Sequence, residues 1–151
     1  MAFKLSRRSK ERLIGVEEGL IKVVRRAIEI TEIDFGVTEG LRTLQKQKEY
    51  LERGVTTTLK SKHLEGKAVD LVAYLGNRIS WEITLYDNIA DAMKQAAIEL
   101  DVPLRWGAAW HIADIRKFEG TMQEATDEYV KLRISEGRRP FVDAPHFELG
   151  E

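Results

Sequence analysis

Two stretches of this chain, residues 15–31 and 83–100, repeat apolar residues at three- and four-residue spacing, the period of a helix with one buried face. Val16, Leu20, Val23, Val24, Ala27 and Ile28 mark the first stripe, and Ile89, Ala92, Met93, Ala96, Ala97 and Leu100 the second. Stripes of this kind must be covered. The covering surface is read in short β-prone segments at 34–38, 67–74, 104–106 and 145–149, with a hairpin turn at Gly76-Asn77. A further helix is expected over 44–52, stopped by Gly54. The polar residues Thr56, Thr57 and Thr58 read as a loop. Residues 121–136 are helical in pattern but highly charged and bounded by Gly120 and Gly137, so they read as a surface insertion. With neither repeats nor a linker, the chain is expected to form one α+β domain spanning 1–151.

A length of 151 residues suits one core, since a domain near this size buries ~68–70% of its unfolded surface. The 24 Lys and Arg against 25 Asp and Glu leave a net charge of -1. That balance removes the excess cation on which phosphate neutralisation rests, and no nucleic-acid partner is expected. The first 26 residues do hold eight Lys or Arg against three Glu, which is read as a solvated face. No apolar run follows that basic start, so no secretory signal is read, and nothing approaches the ~18 apolar residues of a membrane helix. The expectation is synthesis in the cytoplasm without membrane insertion.

The absence of cysteine excludes a disulfide framework, a thiolate metal site and a cysteine nucleophile. A metal would have to be held by imidazole and carboxylate, and only His63, His111 and His146 are available. In Ser61-Lys62-His63-Leu64-Glu65-Gly66-Lys67-Ala68-Val69-Asp70, Gly66 can turn the chain so that His63 and Asp70 converge, one from a loop and one from a strand. In Asp143-Ala144-Pro145-His146-Phe147-Glu148, period-two geometry sets His146 and Glu148 on one strand face and Phe147 with Leu149 on the other. Two imidazoles and one carboxylate would leave an open position on a tetrahedral zinc, the catalytic arrangement. A nearby carboxylate must then take and return a proton, and Asp143 and Glu148 are both candidates.

The strings SKHLEGKAVD, DAPHFEL, EGLRT and the WG of LRWGAAW occur in an order that resembles the VanY-like peptidoglycan metallopeptidases. That family comprises D-alanyl-D-alanine carboxypeptidases and L-alanyl-D-glutamate endopeptidases, and the likeness is greatest to its small phage and prophage endolysins. It runs from about Arg8 to Leu149, with 111–140 the part least matched. The resemblance implies a small antiparallel sheet with packed helices and a zinc site in a groove on the sheet. His63, Asp70 and His146 would be the Zn2+ ligands, Asp143 the general base, and Arg42 the group that steadies the carbonyl oxygen. Ser61 and Gln47 match polar substrate-binding positions. One departure is Ala108-Ala109-Trp110, where many relatives carry an Asp between the WG and the following Trp; a partner of the site is lost there.

Among the remaining residues, His111 reads as a solvent-exposed loop residue, and Trp81 and Trp106 as core. Trp110 is divided between core and a glycan-facing surface, and Arg42 without the motif would read as a surface partner of Glu39. The expected function is a zinc peptidase of bacterial peptidoglycan stem peptides, cutting L-alanyl-D-glutamate and serving phage lysis after holin-dependent release to the wall. The alternatives are a D-alanyl-D-alanine carboxypeptidase and a non-catalytic, zinc-stabilised wall-binding module.

Overall fold

The computed structural model describes residues 2–56 and 61–150; Thr57 and Thr58 of the expected polar loop lie outside them. Its helices are α1 (Arg7–Arg12), α2 (Glu18–Ile30), α3 (Leu44–Glu52), α4 (Ile83–Leu100) and α5 (Met122–Ser135). The strands are β1 (Asp34–Glu39), β2 (Ala68–Leu75), β3 (Arg78–Ser80), β4 (Leu104–Trp106) and β5 (His146–Leu149). All pairings are antiparallel, in the order β1-β2-β5-β4, with β3 paired to the far end of β2.

The register explains how one sheet serves both core and site. Val69 faces Phe147, which faces Trp106, and all three are fully buried, the two rings stacked at 6.0 Å. Alternate residues point the other way. There Asp70 sits between Glu39 of β1 and His146 of β5, and Glu148 sits between Ala68 and Arg105. The apolar face is covered by α2 and α4, whose buried residues reproduce the two stripes read from the sequence except at Leu100, which is exposed at the end of α4.

Three expectations need correction. Helix α1 falls in the stretch read only as a basic face; Ser6 caps it by accepting from Ser9 N. Ser9 Oγ then accepts from Val37 N at 2.9 Å and Arg12 Nη1 donates to Val37 O at 2.8 Å, so α1 satisfies the outer edge of β1. Helix α5 is charged outside but buries Met122, Ala125, Thr126 and Tyr129, and Lys94 of α4 binds the carbonyls of Phe118 and Gly120 ahead of it. It therefore shares the core and is no mere insertion on the surface. Trp81 is 68% exposed, stacked on Tyr86 at 6.2 Å instead of entering the core.

Candidate metal centre and active-site groove

His63 lies on a 3-10 turn, Lys62–Glu65, that Ser61 caps by accepting from His63 N at 3.2 Å. Gly66 closes the turn at φ 71, a left-handed conformation that favours glycine. A Cβ there would also stand 2.5 Å from Gly15 O, so the turn fits against the start of α2 only with glycine. It delivers the chain into β2, four residues before Asp70.

His146 arrives by a different device. Gly107 N donates to His146 O and Asp143 N donates to Gly107 O, both at 2.8 Å, while His146 N donates to Asp143 O at 3.0 Å. A Cβ on Gly107 would lie 2.2 Å from Asp143 O. The glycine of the WG pair thus lets the 143–146 turn pack directly on β4.

The three groups meet. His63 Nε2 is 3.3 Å from Asp70 Oδ2, and His146 Nδ1 is 3.3 Å from Asp70 Oδ1. Ligand atoms from the three all lie within 4.8 Å of one another, close enough to hold a metal ion. Each imidazole is held from behind. His63 Nδ1 lies 2.8 Å from Gly40 O, to which it can only donate, and His146 Nε2 lies 2.9 Å from Glu148 Oε1. In the neutral rings these contacts place the proton on His63 Nδ1 and His146 Nε2, so a metal would be taken by His63 Nε2 and His146 Nδ1, its charge displacing the proton that the acids beside His146 otherwise hold there. Two nitrogens and one carboxylate oxygen suit zinc.

The electrostatics follow from crowding. Burial alone would raise Asp70, but hydrogen bonds and charge from both histidines hold it well below the usual carboxylate range. Burial would lower His146, yet Asp70 and Glu148 push it up to about 9. Asp143 is raised, first by burial and then by the charge of Asp70.

Around this centre runs a groove of about 640 Å³ whose walls include Arg42, Ser61, Lys62, Trp110, Phe141 and Asp143. Arg42 is far from the surface ion pair it could have been. Its side chain is 9% exposed, held in a fork by Glu39 at 2.6 and 2.9 Å, bound to Gln47 Oε1 at 2.6 Å, and laid over the Tyr50 ring at 4.8 Å. Gln47, expected in the groove, is fully buried and acts on Arg42. Ser61 lines the groove as well as capping the His63 turn. Trp110 forms a wall between His146 at 5.5 Å and Phe141 at 6.4 Å.

Other expectations resolve differently. His111 is no exposed loop residue: its side chain is 14% exposed, 3.0 Å from Glu128 and stacked on Tyr129. Ala108 and Ala109 are fully buried core residues. Glu39 and Tyr50 were not singled out as site residues from the sequence. The signal for Tyr50 was its three-residue offset from Gln47, which puts both on one face of α3.

Fold and site together define a small α+β hydrolase-type scaffold with a triad able to hold a metal in an open groove. The chain belongs to the phage L-alanyl-D-glutamate peptidase family, which it matches over residues 1–150. It is 34% identical to the L-alanyl-D-glutamate peptidase of Escherichia phage T5 over 115 residues, 74% of this chain and 84% of that one. It also resembles the crystal structure of the Serratia marcescens L-Ala D-Glu endopeptidase ChiX, at TM-score 0.73 and 32% identity, covering 98% of this chain and 90% of the other. The family match includes 111–140, the segment least matched by the sequence motifs.

Proposed function

We propose that this L-alanyl-D-glutamate peptidase acts on peptidoglycan stem peptides as a zinc enzyme, with His63, Asp70 and His146 as the metal ligands. The observation that carries the reading is the meeting of these three side chains on the floor of a groove that also holds Asp143 and Arg42. When bound, the ion would polarise the scissile carbonyl and acidify a water beside it. Asp143 takes the proton of the attacking water and passes it to the nitrogen of the departing D-glutamate, a task that suits a carboxylate whose proton affinity is raised. Arg42 has three N–H groups committed to Glu39 and Gln47, which aim the guanidinium while two of its five donors remain for the oxygen that gains negative charge. Ser61 borders the substrate and Gln47 supports it through Arg42.

The non-catalytic alternative rested on Ala108-Ala109 having disabled the site. Their complete burial makes them packing residues, and nothing about the groove favours that reading. No helix among the described residues is long and apolar enough to cross a membrane; synthesis in the cytoplasm and holin-dependent access to the wall belong to this proposal. Purified sacculi digested with the protein should release fragments bearing a new D-glutamate amino terminus by mass spectrometry. A chelator should abolish the release and zinc restore it. Fragments ending instead in a trimmed D-alanine would overturn the bond assignment.

A further inference from the structure

The bond just assigned has a chemical consequence on its leaving side. Glutamate has two carboxyl groups, and a stem that continues through one of them leaves the other free beside the departing amine. That carboxylate must enter a groove already lined by Glu39, Asp70, Asp143 and Glu148. Like charges at such short range repel, so a cation is needed where it lands.

Among the described residues, two permanent cations line the groove, Arg42 and Lys62. Arg42 is forked to Glu39 and bound to Gln47. Lys62 is different. It is the residue before His63, carried on the same 3-10 turn, and among the described residues no hydrogen bond or ion pair engages its ammonium. Glu148, the nearby acid that the charge of Lys62 helps to keep ionised, already accepts from His146 Nε2. Lys62 also stands on the wall shared with a smaller adjoining pocket of about 170 Å³, whose other charged walls are Arg105 and Glu148. Arg105 is turned toward Trp110, with Nη2 donating to Trp110 O and the guanidinium 5.2 Å from the ring centre, while its Nε is buried without a partner.

We infer that Lys62 is a specificity residue: its ammonium receives the free carboxylate of the substrate's D-glutamate, on the leaving-group side of the metal centre. The inference rests on the L-alanyl-D-glutamate reading above. A compact ammonium on a flexible stem suits a single carboxylate that must also depart with the product.

The test uses the zinc-loaded full chain and two stem peptides that differ only in that glutamate carboxyl, one free and one converted to the carboxamide. The native protein is expected to prefer the free acid in kcat/KM by roughly ten- to a hundredfold, the range of a hydrogen bond to a charged group. Lys62→Met should bring the ratio close to one, mainly by raising KM for the acid. Lys62→Glu should invert it, and Lys62→Arg should keep it. Because each ratio is taken within one preparation, loss of folded or metal-loaded protein cancels. A preference that persists in Lys62→Met, or is absent from the native protein, overturns the subsite while leaving the peptidase reading intact. Cleavage of neither peptide by the native protein overturns the peptidase reading and the subsite with it.

Discussion

At the scale of single residues, the groove is governed by side chains that hold other side chains. Glu148 accepts from His146 Nε2, so Glu148→Ala frees that ring to turn and to change tautomer. Zinc affinity is expected to fall about 10–100-fold, measured by competition with a chromophoric chelator; equal affinity would show that the contact is incidental. Asp143 offers a cleaner separation of chemistry from metal binding. Asp143→Asn should keep its zinc and lose roughly 10²–10⁴ in kcat. The sign of its pH dependence follows from the upward shift: the base is active when ionised, so activity falls as pH drops through its raised pKa. The acid limb of kcat/KM should therefore lie above the ordinary carboxylate value of about 3.9. A limb at or below that value would assign it to another group.

At the scale of elements, the turns matter more than the strands they join. Gly107 has Asp143 O where its Cβ would be, at 2.2 Å, and backbone cannot retreat as a flexible side chain can. Gly107→Ala should displace the 143–146 turn, lowering stability by about 1–3 kcal/mol and releasing zinc at a chelator concentration the native protein tolerates. Denaturant titration and metal analysis would check both. The elements also show what the sequence makes legible. The α2 and α4 stripes, the β2–β3 hairpin and the alternation of His146 and Glu148 against Phe147 were readable because periodicity records which face is buried. Helix α1 was not, because it buries Ser9 and works through hydrogen bonds to β1, which leave no apolar period. Helix α5 hid its buried residues among charges that face solvent. Trp81 misled because a lone tryptophan reads as core, whereas the stacking on Tyr86 that anchors it joins residues five apart. In the site, motif order pointed to the residues that come together as a group able to hold a metal, and the Glu39–Arg42 pair was legible as near neighbours, but its burial in the groove over Tyr50 and against Gln47 was not.

At the scale of the whole molecule, α5 is attached to α4 along an acidic seam. Asp87 of α4 is 7% exposed with Oδ1 lacking a hydrogen-bond partner, and Asp91 of α4 accepts from Met122 N at the start of α5. Burial, followed by the charges of Asp91 and Asp127, pushes Asp87 up to about 6 from 3.8. The folded chain therefore holds this proton more tightly than the unfolded chain does. Between those two values the native state binds the extra proton, so the stability tied to Asp87 declines as pH rises. Above about 6 the ionised group costs on the order of 2–3 kcal/mol. Asp87→Asn removes that ionisation without removing the side chain's bulk. With zinc bound, it should raise the melting temperature at pH 8 by about 4–12 °C, taking 2–4 °C per kcal/mol for a domain this large. Near pH 4.5 the gain should shrink to roughly a third, and it should vanish only below about 3.8, where the unfolded carboxyl is protonated too. Calorimetry at the two pH values decides the matter: the same gain at both would mean that asparagine packs better at this seam, and that charge burial is not what limits the joining of α5 to the core.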